Sequence, residues 1–258
     1  VLIFIVMIFT NLIYTNLRTN ILGKNIEYYQ RLESTNAEAW ELLEEDQGNH
    51  GMIVITDNQT GGKGRNGNKW FMSPSKGLAM SLILNKQHSL ENPELIPIAA
   101  GVAVAMTLKN RGLEPRLKWP NDIMIGDKKC GGILCESKVS SQKVNQMVIG
   151  LGININETKE DFPDNLNITS TSLFLESGRT QQRELVCAIF TTFFEKILDD
   201  LDSVIDEWKK YCAHIDEEVS FNHDGVKQHG IFKDINKKGH ALIEVNNSIK
   251  TFPSIILD

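Results

Sequence analysis

Several features are scarce in this 258-residue chain, and each scarcity removes a class of function. Its four cysteines, Cys130, Cys135, Cys187 and Cys212, form no C-x-x-C pair and have no histidine at zinc-ligand spacing. That argues against a zinc knot and against a disulfide framework, and suits reduced thiols in a cytoplasmic compartment. Basic residues are outnumbered, 27 to 33, and scattered, giving a net charge of −6. No face is built to neutralise a phosphate backbone, so nucleic acid is not an expected partner. The longest apolar run, Val1 to Phe9, is shorter than the ~20 residues a bilayer span needs. It also lacks the basic start and small-residue cleavage site of a secretory leader, so neither a membrane nor an export role is expected. The run fits a translation start at Met7, an added β-strand or a disordered stub, and no function is placed on it. Internal repeats and low-complexity tracts are absent, and neither the Walker nor the dinucleotide glycine pattern occurs.

What is present is an ordinary folded composition, 41% hydrophobic and 23% charged, long enough to bury a sizeable core. Strand-like runs at Gly51–Thr56, Leu78–Leu84, Asn121–Ile125 and Gln146–Asn154 alternate with helical periodicity at Asn36–Asp46 and Leu95–Arg111. The segment IPIAAGVAVAM is apolar on nearly every side and predicts a buried helix. From Gln182 to Tyr211 apolar residues recur at three- and four-residue steps, which predicts one long amphipathic helix or a broken pair. Beyond His214 short alternating strands joined by Asp-Gly and Lys-Gly turns predict a small antiparallel barrel or sandwich. The fold class is therefore α+β, divided as 21–212 for a large domain and 213–258 for a small one.

Five segments carry candidate chemistry. Gln59 to Trp70, QTGGKGRNGNKW, interleaves four glycines with Lys63, Arg65 and Lys69 after a predicted strand. Glycine lets backbone amides approach an anion and the cations add charge, although such a loop can equally be a flexible surface turn. Lys118 to Asp122, KWPND, offers Asp122 as a magnesium ligand beside a triphosphate, or simply an Asn-Asp turn after Pro120. In KKCGGILCE, Lys129 precedes the pair Gly131 and Gly132, where backbone can lie against a ligand, or where a solvated turn can sit. VIGLGININ is a buried strand ending in the amides of Asn154 and Asn156. In Ser34-Thr35-Asn36, Thr35 and Glu38 match a capping box, and a helix N-terminus can also hold a polar ring or an anion.

In this order, STN, QTGGKGRNGNKW, KWPND, KKCGGIL and GLGININ resemble the biotin protein ligase family over about Leu32 to Asn156. The resemblance implies a mixed β-sheet flanked by helices, as in class II aminoacyl-tRNA synthetases, followed by a small SH3-like barrel. It implies activation of biotin with ATP and Mg²⁺ to biotinyl-adenylate, then transfer to one lysine of a biotin carboxyl-carrier protein such as the acetyl-CoA carboxylase subunit. By the same resemblance Ser34, Thr35, Asn36 and Gln59 line a biotin pocket, and Gly62, Lys63, Gly64 and Arg65 form a loop over biotin and adenylate. Lys129 contacts the biotin carboxylate and then the phosphate, with Gly131 and Gly132 beside the ligand. Trp70, Lys118, Asn121, Asn154 and Arg65 belong to the nucleotide side, and Asp122 serves the magnesium. Lys129 and Arg65 are the expected catalytic pair. The family loop usually reads G-R-G-R-x-G-R-x-W; here Lys63 replaces the first arginine and loses its bidentate fork. Many relatives begin with a helix-turn-helix domain, whereas about thirty residues precede STN here, so no DNA-binding role is expected. The alternatives are a lipoate ligase, whose R-R-x-x-G-G-G type loop is not matched, and a non-catalytic biotin sensor. Exposed strand edges are compatible with a monomer or a homodimer.

Overall fold

The computed structural model describes residues 7–85, 90–140 and 143–257. Residues 1–6 of the apolar start and 86–89 of the expected turn at Asn85–Pro93 lie outside the described residues. The chain forms α1 (Thr10–Asn16), β1 (Ile26–Tyr29), α2 (Thr35–Glu44), β2 (Ile53–Thr56), β3 (Leu78–Asn85) and α3 (Ile96–Asn110). It continues through β4 (Pro115–Lys118), β5 (Asp122–Ile125), β6 (Lys128–Ser140), β7 (Lys143–Ile153), α4 (Leu173–Ser177), α5 (Arg183–Leu198) and α6 (Val204–Tyr211). The strands β8 (Glu218–His223), β9 (Val226–Ile235), β10 (Ala241–Val245) and β11 (Ser248–Phe252) close it.

Seven strands make one sheet in the order β1-β2-β3-β7-β6-β5-β4, in which only the edge pair β1 and β2 is parallel. Because side chains alternate along a strand, each strand feeds two faces. Ile53 and Ile55, with Leu78, Met80, Leu82, Ile149 and Leu151, pack toward α3 and α5 in the main core. Val54, Ile83 and Val148 point the other way, under Ala39, Leu42 and Leu43 of α2. The all-apolar helix α3 is buried on nearly every side, as its sequence requires, and α6 follows α5 as the broken pair. α2 covers only part of its face, so the rest of that surface is left for a ligand.

The second sheet, order β11-β10-β9-β8, is antiparallel. Its hairpins turn on Asp224-Gly225 and Asn246-Asn247, all at positive φ, which suits the right-handed twist of the flanking strands. It is fastened to the large sheet through the KWPND segment. The Trp119 indole donates to the Gly239 carbonyl (3.0 Å) and the Trp119 amide donates to His214 Nε2 (3.4 Å). His214 is wedged edge-on against Phe232, and burial pushes its imidazole down to about 4, which keeps it neutral. All four cysteines are free.

The described end of the apolar start forms no strand. Ile8 is buried, its amide 3.2 Å from Asp57, and the Phe9 amide donates to Glu184 (3.0 Å). Asp57 is itself half of a buried ion pair with Arg183 at 2.7 Å. No helix among the described residues is long and apolar enough to cross a membrane.

Candidate functional site

The register of the large sheet draws the expected residues together. Lys118 pairs with Asp122, Asp122 with Gly132, Gly132 with Gly152, and Gly152 with Ala79, a row that crosses the sheet on one face. One step along, Leu134, Gly150, Ser81 and Val54 form the next row on that face. The glycines leave a trough, and neighbours fill it closely. A Cβ on Gly150 would stand 2.3 Å from Asn36 Oδ1, and one on Gly152 would stand 2.5 Å from the Trp70 ring. Both positions therefore require glycine because another side chain lies directly on the strand.

Strict alternation would send Lys129 into the core, since Gly132 faces the trough. A β-bulge between β5 and β6 changes this: Ile123 pairs with Gly131 but Met124 with Lys129, which leaves Cys130 as the extra residue. Cys130 goes fully into the core and Lys129 is re-aimed into the trough, where its Nζ lies 2.5 Å from Asp122. Gly131 turns the other way, toward Ile123 and Ile153, so of the expected glycine pair only Gly132 lines the cleft.

The N-terminus of α2 closes one end. Ser34 rather than Thr35 is the cap, accepting from the Ala37 amide, because the Thr35 hydroxyl is engaged elsewhere. Glu38 serves no capping box; it accepts from the Tyr29 hydroxyl at 2.6 Å. Gln59 Oε1 accepts from the Thr35 amide (2.9 Å), and Ser81, buried at the floor, reaches Thr35 and Asn36. The glycine-rich loop arches above, pinned by Gly61 to Glu33 and by Trp70 to Gly62, with a 3-10 turn at Arg65–Gly67 in which Asn66 and Gly67 take positive φ. Gly62 lies under this pin, where a Cβ would meet Gln59 Nε2 and the Trp70 carbonyl, and it does not line the cleft.

The resulting cleft is a concave trough of about 920 Å³ when the open solvent at its mouth is counted. It is lined by Ser34, Thr35, Asn36, Gln59, Lys63, Gly64, Arg65, Trp70, Lys118, Asn121, Asp122, Lys129 and Gly132. Asn154 is not among them: its amide donates to the Thr171 carbonyl (2.9 Å) and ties the end of β7 to the segment before α4. Although the chain is acidic overall, the described lining holds five cations, Lys63, Arg65, Lys69, Lys118 and Lys129, against the carboxylate of Asp122. Such a concentration of one sign in a concave wall favours an anion. Arg65 is half-sequestered by burial, which pushes its guanidinium downward while Asp122 opposes the shift. One guanidinium nitrogen donates to Ser254 Oγ (2.7 Å); Nη1 is buried without a hydrogen-bond partner among the described residues, as is Trp70 Nε1. Orphaned donors in a cleft wall are what an anionic or carbonyl-rich ligand would satisfy. No cluster of three or more metal-ligating side chains occurs among the described residues.

Several contributors were not picked out from the sequence. Ser81, the lone hydroxyl in the apolar run AMSLIL, and the alternating Gly150 and Gly152 carried visible signals. Ile256 and Leu257 line the cleft and Ser254 holds Arg65, contributions from the distant C-terminal segment that no local pattern announces.

Comparison with known proteins gives a consistent picture. The sequence model of the biotin/lipoate A/B protein ligase family matches residues 28–154. The bifunctional ligase/repressor BirA of Bacillus subtilis is 32% identical over 240 residues, 91% of this chain and 74% of that protein. The biotin--[acetyl-CoA-carboxylase] ligase of Paracoccus denitrificans is 28% identical over 83% of this chain and 91% of its own length. Among solved structures, the biotin protein ligase of Aquifex aeolicus in complex with biotin and ATP superposes with a TM-score of 0.78, at 28% identity, over 91% of this chain and 99% of that one.

Proposed function

The chain belongs to the biotin/lipoate A/B protein ligase family, and on that premise we propose that it is an ATP-dependent biotin protein ligase acting on a lysine of a biotin carboxyl-carrier protein. The observation that carries this reading is the order of groups along one cleft. At one end Ser34, Thr35, Asn36 and Gln59 offer directional donors and acceptors suited to a neutral polar ring. At the other, Lys129, Arg65 and their neighbours offer charge suited to a carboxylate meeting a phosphate.

The first step joins a biotin carboxylate oxygen to the α-phosphorus of MgATP and breaks its bond to pyrophosphate. Two anions must approach, so the chain's contribution is positive charge held in place, from Lys129, Arg65 and Lys63, in a site the glycine-rich loop shields from water. Magnesium arrives with the nucleotide. Asp122, now paired with Lys129, would supply a carboxylate of the kind such an ion takes alongside phosphate oxygens and water, and Lys129 would then be free for the incoming anion. In the second step an acceptor lysine amine attacks the acyl carbon, AMP departs and the amine gives up a proton. No protein nucleophile is required. Trp70, Lys118 and Asn121 sit on the nucleotide side in this reading, with Asn121 braced by its bond to the Ile133 carbonyl. The separate sheet β8 to β11 supports a division into 21–212 and 213–258, and the free thiols suit a cytoplasmic enzyme.

The test is pyrophosphate release from MgATP by the purified chain with biotin, lipoate or octanoate. Release with biotin alone is expected. Release with lipoate or octanoate alone would reassign the substrate, and none with any acid would leave a binding protein.

A further inference from the structure

The polar end of the cleft contains a hydrogen-bond chain whose direction can be worked out from its terminus, Glu136 on β6. Asn36 Nδ2 donates both its hydrogens, to Glu136 Oε2 at 2.7 Å and to the Leu134 carbonyl at 3.3 Å. A carboxylate and a carbonyl accept only, so the amide of Asn36 has one permitted orientation, with Oδ1 turned to Ser81. It lies flat against Gly150, where a side chain would leave no room. Ser81 Oγ stands 2.6 Å from Asn36 Oδ1 and 2.8 Å from Thr35 Oγ1. Ser81 has one proton, which goes to Asn36 Oδ1 at the shorter distance, so the proton between the two hydroxyls comes from Thr35, whose contact with Gln59 Oε1 is longer at 3.2 Å. With its proton spent, Thr35 Oγ1 faces the cleft as an acceptor. Gln59 Oε1 is occupied by the Thr35 amide at 2.9 Å, which leaves Gln59 Nε2 as a donor on the same wall.

We propose that Glu136 is a specificity-determining positioning residue: as the terminal acceptor of the chain Thr35 to Ser81 to Asn36, it makes the pocket present one acceptor and one donor to a cyclic urea, whose N–H groups donate and whose carbonyl accepts. This rests on the biotin reading above. Glu136 touches no reacting atom; it acts through Asn36 and Ser81.

Glu136→Gln keeps the shape but removes the charge and can turn an N–H toward Asn36, so the Asn36 amide is held only by its longer bond to the Leu134 carbonyl and the chain loses its fixed direction, letting the Thr35 hydroxyl turn donor. The expected result is a rise in the KM for biotin of about tenfold to a hundredfold, the scale of losing one charge-assisted hydrogen bond, with kcat at saturating biotin and the KM for ATP within about threefold of wild type. Desthiobiotin, which keeps the urea and lacks the thioether, should lose by the same factor. Ser81→Ala removes the middle link, so it should give a similar KM effect, and the double variant should add little to either single one. An unchanged biotin KM in Glu136→Gln, strictly additive losses, or a parallel loss of ATP affinity and kcat would overturn the proposal. A wild-type protein that releases no pyrophosphate in response to biotin would fail earlier, at the functional reading, and take this inference with it.

Discussion

Replacing Glu157 with glutamine should abolish a pH dependence of stability that the wild-type chain carries just below neutrality. Glu157 follows β7, is fully buried, and neither carboxylate oxygen has a hydrogen-bond partner among the described residues. It lies beneath the loop that precedes β3: a Cβ on Gly77 would stand 2.7 Å from Oε1. Burial pushes its carboxyl from the ordinary 4.5 up to about 7. The nearby Asp161 adds to the rise, while Lys76 and the amides of Ile155 and Glu157 itself oppose part of it without meeting hydrogen-bond geometry. Because the folded state holds its proton more tightly than the unfolded state, the associated stability is fully present below about 4.5 and is lost as pH rises through about 7. A difference of this size corresponds to about 3 kcal/mol, or roughly 6–12 °C in melting temperature for a chain of this length. The assay is urea unfolding of wild type and Glu157→Gln at pH 5 and pH 8. The gap between the two proteins should move in the variant's favour at pH 8. Other titrating groups, the buried His214 among them, cancel in that comparison. Parallel pH profiles would exclude Glu157 as the source of the dependence.

Gly152→Ala places a methyl group where the Trp70 ring now lies, at 2.5 Å, so Trp70 must be displaced; a stability loss of about 1–3 kcal/mol and a raised KM for ATP are expected from melting curves and initial rates. Lys129→Ala and Arg65→Ala should each lower adenylate formation by about a hundredfold or more at an unchanged melting temperature, measured as biotin-dependent pyrophosphate exchange, and wild-type rates would remove both from the chemistry. Arg65→Gly loses the side chain that now spans from the loop to Ser254, so it should release biotinyl-adenylate and label bystander lysines. Mass spectrometry of a mixed protein sample showing no excess labelling would count against that.

The sequence was most readable where one period dominated. α3 is apolar all round, β3 and β7 are long buried runs, and the C-terminal hairpins carry Asp-Gly and Lys-Gly turns, so each emerged close to its observed bounds. β1 and β4 were not read: each has four residues, and β4 begins with a proline, too little for a periodic signal. α1, TNLIYTN, has little helical propensity of its own and buries Ile13 in the core, so tertiary contacts decide it. At the site, the segments were identifiable by residue type, but their aim was not. The bulge at Cys130 that turns Lys129 into the trough breaks the alternation a sequence reading relies on. Asn154, polar at a strand mouth, proved to be tied to Thr171 instead. The cap at Ser34 rather than Thr35 follows from Ser81, 46 positions away, claiming the threonine hydroxyl.

The most direct question is whether this cleft makes an adenylate of biotin and hands it to a carrier lysine. A single-turnover experiment with carboxyl-labelled biotin, MgATP and a biotin carboxyl-carrier domain follows both steps. Label is expected first as protein-bound biotinyl-adenylate, then on one carrier lysine with release of AMP. Label that stays as free biotin through the time course would contradict that expectation.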